Sequence, residues 1–544
     1  MTQQGKRIGD FDWSAGYASQ RAPLFARNVV STSHPLAAQA GLRMLARGGN
    51  AVDAAVAAAA CMTVLEPCSN GLGSDAFAIV WDGERLQGLD AAGAAPAAWS
   101  CEFFKDAAGA PPKRGWGSVT VPGAVGGWVA LSERYGKLSF ADLLEPAIDI
   151  AERGYAVPVV VQRKWALAAQ IRDLAGQPGF AEAFLPRGRA PQVGELFALP
   201  GAARTLRLIA QSRGEAFYRG EVAAAVETFA RQTGGAITAA DFAAYAPQWV
   251  ETISQRHAGC ELHELPPSGQ GIAALIALGL LQHHELRAHA VDSVAAQHLQ
   301  IEAMKLAFAD TYRFVADPRA MALTAADLLN PDYLAERARL IAPDRAQDFG
   351  HGNPVRGGTI YLSAADESGM MVSFIQSNYM GFGSGLVVPG YGLSLQNRGH
   401  GFSLEREHPN CVAPGKKPFH TIIPAMLMQE GRARMSFGVM GGHMQPQGHL
   451  QTLVRMLDYS QHPQAACDAP RWRFNQGLSI DVEPQMPAST VEGLRALGHQ
   501  IGNSHDPALD LGAGQFIWRL GEDPAVDGYV AASDPRRDGA AVGF

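Results

Sequence analysis

Thr359 is the residue of this chain whose neighbours best suit covalent chemistry. It follows Gly357 and Gly358 and opens a run, 359–364, that reads as a β-strand after a long helical region. Glycine enters backbone conformations closed to other residues, so a hydroxyl placed after two glycines can attack the carbonyl of the peptide bond before it. Cleavage between Gly358 and Thr359 would leave Thr359 as a new N-terminus. Its freed amine, with an unperturbed pKa of about 7.7–8.0, can take the proton of the adjacent hydroxyl, which puts nucleophile and base in one residue. The plainer alternative is a glycine turn that leads into a β-branched strand residue.

Other chemistry finds less support. There is no G-x-S-x-G elbow and no phosphate-binding P-loop. His284-Glu285 begins like a zinc-protease motif, but the residue four after His284 is Ala288, and His443 and His449 are six apart, off the i, i+4 spacing of a helical ligand pair. Gly381-Phe382-Gly383-Ser384-Gly385 lacks the sixth-position glycine and the strand-to-helix context of a dinucleotide fingerprint. The six cysteines (61, 68, 101, 260, 411 and 467) form no C-x-x-C pair, so neither zinc nor a dithiol motif is expected.

The elements that must hold Thr359 can be read from periodicity. Helices are expected over 35–47, stopped at Gly48-Gly49-Asn50, and over 51–65, stopped by Glu66-Pro67. A buried strand is expected over 76–81. From 141 to 345 the pattern is mostly helical: 141–153, 201–212, 221–233, 271–283, 294–316 and 325–340. Beyond Gly357 it turns to strands, over 359–364, 370–376, 392–397, 420–428 and 434–439, with helix again near 448–457 and 487–497. Strands at both ends around a helical middle imply an α+β body whose sheets draw on both halves.

Composition narrows the class. The 544 residues are 47% hydrophobic and 18% charged, ordinary globular values that exclude a disordered or coiled-coil chain. A formal charge of −7 and the lack of any Lys/Arg run argue against a nucleic-acid partner. The most apolar stretch, 54–65, falls short of the roughly 20 residues that span a membrane, and residues 1–25 hold no apolar run of signal-peptide length. No membrane partner and a reduced cytoplasmic location are expected.

Several long motifs, in order, resemble the γ-glutamyltransferase family of N-terminal-nucleophile hydrolases. They are Gly48-Gly49-Asn50-Ala51-Val52-Asp53-Ala54-Ala55, Thr120-Val121-Pro122-Gly123, Pro266-Pro267-Ser268-Gly269-Gln270-Gly271, Pro414-Gly415-Lys416-Lys417-Pro418, Gly441-Gly442 and Asp534-Pro535-Arg536-Arg537-Asp538-Gly539. The resemblance implies a four-layer αββα sandwich and a proenzyme cut at Gly358–Thr359 into a large subunit, 1–358, and a small one, 359–544. These would form a heterodimer, with further dimerisation open. It implies Thr359 as nucleophile, Ser377 as the hydroxyl bonded to it, and Gly441 and Gly442 as backbone donors to an oxyanion. It implies no metal and no organic cofactor.

The substrate pocket departs from the family pattern. The arginine that grips the α-carboxylate of a γ-glutamyl donor falls at Ala92, and the N-N-[EQ]-x-D-D-F-S segment reads Gln396-Asn397-Arg398-Gly399-His400-Gly401-Phe402-Ser403. A family Asn becomes Tyr379, and the Ser-Ser pair becomes His420-Thr421. Acceptors for an ammonium are lost and a guanidinium is gained, which suits a planar anion. The expected substrate is a small carboxylate-bearing amide without an α-amine, oxamate foremost, with Arg398, His400, Tyr379, His420 and Thr421 as its contacts. Arg398 as a solvated loop residue or as a partner of Glu405 is the alternative reading of that position. The resemblance is to the branch of oxamate amidohydrolases and glutaryl-type cephalosporin acylases. A γ-glutamyltransferase or a non-catalytic homologue remain the other functions.

Overall fold

Side-chain alternation along the strand that starts at the Gly358–Thr359 junction sets the layering. In a computed structural model that describes residues 20–349, 358–504 and 506–544, the strand Gly358–Ala365 sends Ile360, Leu362 and Ala364 into one core and Tyr361 and Ala365 into another. Its neighbours alternate in step: Val372 and Phe374 face the first core and Met371 and Ile375 the second, as do Ala78 and Val80 against Phe77 and Ile79. A two-residue period with both faces apolar requires a covering layer on each side.

One of those layers is a second sheet. The first sheet runs, in spatial order, Ala540–Gly543, Val29–Thr32, Gly358–Ala365, Met371–Tyr379, Asp75–Trp81, Leu86–Ala91 and Gln248–Val250, all antiparallel. The second runs Leu24–Ala26, Tyr529–Ser533, Ala513–Arg519, Arg432–Met440, Ala425–Gln429, Cys260–Glu264 and Ile253–His257, again all antiparallel. Tyr361, Met426, Met440, Ile517 and Tyr529 fill the space between them. Ser363 crosses the gap to bond the Ser436 hydroxyl at 3.0 Å.

Helices close the outer faces. Pro35–Ala46 and Ala51–Leu65 cover the first sheet, and Gly271–Leu281 and Val294–Phe314 the second, which completes an αββα stack. Every residue of Ala51–Leu65 is buried. Its start is fixed by a capping box in which Asn50 accepts from the Asp53 N–H while the Asp53 carboxylate accepts from the Asn50 N–H. Gly48, at φ 88°, lets the preceding helix turn into that cap.

The structure corrects the sequence reading in several places. The helical middle also contains strands: a two-stranded pair, Tyr155–Ala156 with Leu196–Phe197, and Gln248–Val250, Ile253–His257 and Cys260–Glu264, which join the two large sheets. The helix expected over 325–340 divides into Ala325–Leu328 and Pro331–Ala338, because Pro331 has no N–H to continue it. The strand expected over 420–428 covers only Ala425–Gln429, since His420 makes a single bridge to Gly269 instead. The strand expected over 392–397 shrinks to Leu393–Ser394.

Candidate active site

Alternation places Thr359, Ser377 and Asp75 on the inner faces of three adjacent strands, at one end of the sandwich. Ser377 pairs with Asp75 across the sheet, and Thr359 lies at a register shift opposite the end of Met371–Tyr379. Thr359 is 3% exposed and Ser377 fully buried. The Thr359 hydroxyl donates to Ser377 Oγ at 3.3 Å, and Ser377 Oγ also accepts from the Tyr379 N–H at 2.7 Å. Gln445 Nε2 reaches Thr359 Oγ1 at 3.5 Å from the helix Met444–Leu453. That helix begins just after Gly441 and Gly442, whose φ values of 126° and 64° turn the chain sharply out of the strand Arg432–Met440. The Met444 and Gln445 N–H groups donate back to the Gly441 and Gly442 carbonyls at 3.2 Å each, and Pro446 has no N–H, so donors to a negative oxygen must come from the glycine turn itself.

Arg398 is fully buried and reaches the site through Tyr379, two residues after Ser377. Its guanidinium carbon stands 4.4 Å over the Tyr379 ring, and Nη1 donates to Thr421 Oγ1 at 2.8 Å. Nε and Nη2 have no hydrogen-bond partner among the described residues. Burial draws its pKa down to about 10, opposed by Asp75 and Tyr379, so it stays charged at neutral pH. Glu405 is exposed, and Arg398 is neither solvated nor paired with it. A buried cation with two donors unfilled is costly, and a bound carboxylate would relieve it.

Asp75 is the acid closest in influence to Arg398. Its Oδ1 accepts from the N–H groups of Gly93 and Gly123, each at 3.2 Å, and Oδ2 lies 3.2 Å from His420 Nε2. Burial pushes Asp75 up to about 7 against the pull of Arg398. His420 is held well below its ordinary value, by burial first and then by Arg398 and Lys417, so the contact is a hydrogen bond of a neutral imidazole rather than an ion pair. His420 also packs on Phe77 at 4.7 Å. His400 stands further out, half-buried, with Nδ1 2.6 Å from the Pro111 carbonyl and its ring 6.5 Å from Tyr379.

The structure therefore brings together Thr359, Ser377, Tyr379, Arg398, Thr421, His420 and the Gly441-Gly442 turn, with His400 at the margin. Sequence reading missed Asp75, Gln445 and Gln270, whose Nε2 holds the carbonyls of Thr421 and Gly442 at 2.6 and 2.8 Å. For Asp75 a signal existed: an acid at the head of an otherwise apolar strand, Asp75–Trp81. Ala92, which occupies the family's arginine position, lines a neighbouring cavity of about 780 Å³ together with Phe77, Val121, Leu265, Pro266 and Pro267. Lys417, bonded to Asp90 at 2.8 Å, stands at its edge.

Metal chemistry finds its ligands already engaged. His443 Nδ1 is bonded to Tyr312, and His449 to Glu264 and the Val439 N–H. Among the described residues, His298, Glu302 and His499 have a metal-like spacing. Lys305 already holds that cluster, bonded to Glu302 at 2.7 Å, to the Gln347 carbonyl at 3.1 Å and to His499 Nδ1 at 3.4 Å. His499 Nε2 in turn meets His298 Nδ1 at 2.8 Å, and His298 Nε2 meets the Ala342 carbonyl. Each of the three side chains thus already has a partner, Glu302 and His499 in Lys305 and His298 in His499 and the Ala342 carbonyl.

Comparison with known proteins adds the family. The profile described as Gamma-glutamyltranspeptidase matches residues 37–544. The chain belongs to this family. It is 35% identical to an oxamate amidohydrolase proenzyme of Klebsiella pneumoniae over 94% of its own length and 97% of that protein. It is 34% identical to a glutathione hydrolase-like proenzyme of Bacillus subtilis, with 95% and 98% covered. Among solved structures, a cephalosporin acylase from Bacillus halodurans is 44% identical, with a TM-score of 0.93 over 98% of this chain and 99% of that one. The gamma-glutamyltranspeptidase-family chain is thus an enzyme, a self-processing amidohydrolase with the αββα fold of N-terminal-nucleophile hydrolases. No helix among its described residues is long and apolar enough to cross a membrane.

Proposed function

We propose that this enzyme hydrolyses a small amide bearing a carboxylate, oxamate in the first place, through an acyl-enzyme on Thr359. The single observation that carries the reading is the fully buried Arg398, with Nε and Nη2 unfilled, stacked on the ring of Tyr379, whose backbone N–H bonds Ser377 Oγ, the partner of Thr359. In this reading the chain matures by cleavage between Gly358 and Thr359 into subunits 1–358 and 359–544. The new amine of Thr359 takes the proton of its own hydroxyl as Oγ1 attacks the amide carbonyl, then passes that proton to the nitrogen as the C–N bond breaks and the amine leaves, so that an ester on Oγ1 remains for water to hydrolyse. Ser377 accepts a hydrogen bond from that hydroxyl and orients it, while N–H groups at the Gly441-Gly442 turn receive the oxyanion. Arg398, held by Thr421 and stacked on Tyr379, takes the substrate carboxylate, and His420 and His400 shape the pocket around it. Water completes the turnover, and neither metal nor cofactor enters. A cytoplasmic location fits such a small acidic substrate.

A second reading, a glutaryl-type acylase, draws on the 780 Å³ cavity beside the site, which exceeds what oxamate needs and offers apolar wall to a bulky leaving amine. A panel of oxamate, glutaryl amides and γ-glutamyl anilides separates these readings. Arg398→Ala is expected to lower kcat/KM for acidic acyl donors by about 1.5–3 kcal/mol while leaving neutral amides and maturation intact. Arg398→Lys should rescue only in part, because a point charge lacks the planar two-pronged fit. Equal losses for acidic and neutral amides, or a preference for γ-glutamyl donors through their α-amine, would refute the assignment of Arg398.

A further inference from the structure

Cys101 and Cys411 lie 310 positions apart in sequence, yet their sulfur atoms are 2.8 Å apart. They stand on opposite sides of the Gly358–Thr359 bond. Both are partly exposed, whereas Cys61, Cys68, Cys260 and Cys467 are buried. Reactivity of a thiol requires access, so the six cysteines divide into one reachable pair and four shielded singles.

The pair bridges two segments that pack against each other next to the Arg398 turn. Trp99 and Phe104, from the segment of Cys101, pack with Phe402 and Val412, from the segment of Cys411, in a small separate apolar cluster. Trp99 lies so close over Gly399 that a Cβ there would meet its ring at 2.5 Å. Gly399 adjoins Arg398, and both belong to the short turn Arg398–Gly401. Cys411 is fixed by a bridge to Ser403 and by Lys416 Nζ, which donates to its carbonyl at 2.8 Å.

We propose that Cys101 and Cys411 form a thiol–disulfide pair whose oxidation staples the segment before the cleavage bond to the segment after it and pins the Trp99 turn onto the Arg398 turn. The oxidant is a low-molecular-weight disulfide. One cysteine thiolate attacks a sulfur of that disulfide and releases the first small thiolate, and the second cysteine then displaces the other. Two protein thiols become one disulfide, and the two electrons and two protons reduce the oxidant to two small thiols. Under a reducing poise the pair stays open, and disulfide stress closes it. In the matured enzyme the bond would join two separate chains, a consequence that rests on the maturation reading above; the disulfide itself does not.

The test uses the purified full-length protein, treated with oxidised or reduced glutathione and then with N-ethylmaleimide. The oxidised sample is expected to take up two fewer maleimides under denaturing conditions and to yield a linked peptide containing Cys101 and Cys411. On a non-reducing gel the two subunit bands should merge into one that dithiothreitol splits again. Its Tm should rise by several degrees, and Cys101→Ser or Cys411→Ser should remove both the link and the rise. Equal maleimide uptake in both samples, a stable glutathione adduct in place of the linked peptide, or a link without a rise in Tm would overturn the proposal. A single band under all conditions together with the linked peptide would refute maturation instead and leave the disulfide standing.

Discussion

Ser377 Oγ accepts from both the Thr359 hydroxyl and the Tyr379 N–H, so Ser377→Ala removes an orienting partner without creating a clash. Steady-state kinetics should show kcat down at least about tenfold, the lower end for a hydrogen bond to a charged group, with KM little changed. A change confined to KM would mean that Ser377 only binds substrate. Asp75 gives a pH signature. Burial raises it to about 7 in the fold, above an unfolded value of about 3.9, so its contribution to stability is full below the unfolded value and is lost as pH rises through about 7. Once ionised, it also competes with a substrate carboxylate for Arg398. KM for acidic amides is therefore expected to rise above pH 7 in the wild type and to stay flat in Asp75→Asn; an unchanged profile would remove Asp75 from the site. Thr359 and Ser377 could be singled out because family motifs align with them, and Arg398 because it departs from one. Asp75 and Gln445 were not, since their roles come from sheet register and from a helix that returns across the gap.

The turn at Gly441-Gly442 ties the strand Arg432–Met440 to the helix Met444–Leu453, and its geometry admits little but glycine. At Gly441 a Cβ would meet Gly512 Cα at 3.0 Å, and Gly442 has φ 64°. Gly441→Ala is expected to shift the N–H groups of the turn and lower kcat by about 10²–10³, the usual cost of losing one oxyanion donor, when assayed well below its own Tm, which the strained Cβ also lowers. A kcat that stays at the wild-type value in the folded variant would assign the turn to folding alone. The Lys305–Glu302 pair, both residues essentially buried, ties the helix Val294–Phe314 to the Gln347 backbone and to His499. Lys305→Met strands the carboxylate and should cost about 3–5 kcal/mol in urea unfolding, whereas the double change with Glu302→Leu should recover much of it. Helices with sharp caps, such as Ala51–Leu65, were readable nearly to the residue. The strands at 253–257 and 260–264 were not, because five-residue strands rich in polar residues carry almost no periodic signal.

Neither proposed subunit holds either seven-stranded sheet complete. The strand Gly358–Ala365 lies between Val29–Thr32 and Met371–Tyr379, and the C-terminal strand Ala540–Gly543 pairs with Val29–Thr32, so a cut before Thr359 leaves the layers hydrogen-bonded. The C-terminal motif read at Asp534-Pro535-Arg536 serves this assembly. Asp534 accepts from Arg471 at 2.8 Å, from Arg536 at 3.1 Å and from the Gly514 N–H at 2.8 Å. Burial opposes its ionisation, but Arg471 and Arg536 hold its pKa well below the carboxylate range. The stability it supplies is thus present above an unfolded pKa of about 3.9 and lost as pH falls below it; Asp534→Asn should lower Tm at neutral pH and flatten its acid dependence. The motif was visible in the sequence, but its work in joining strands from distant parts of the chain was not, since it depends on contacts across 63 positions. The most direct measurement of the whole account is N-terminal sequencing of the smaller fragment of the purified protein, beside the Thr359→Ala variant. The account predicts a fragment that begins Thr-Ile-Tyr-Leu-Ser in the wild type and a single uncut, inactive chain in the variant; any other first residue, or an uncut wild type that turns over substrate, would contradict it.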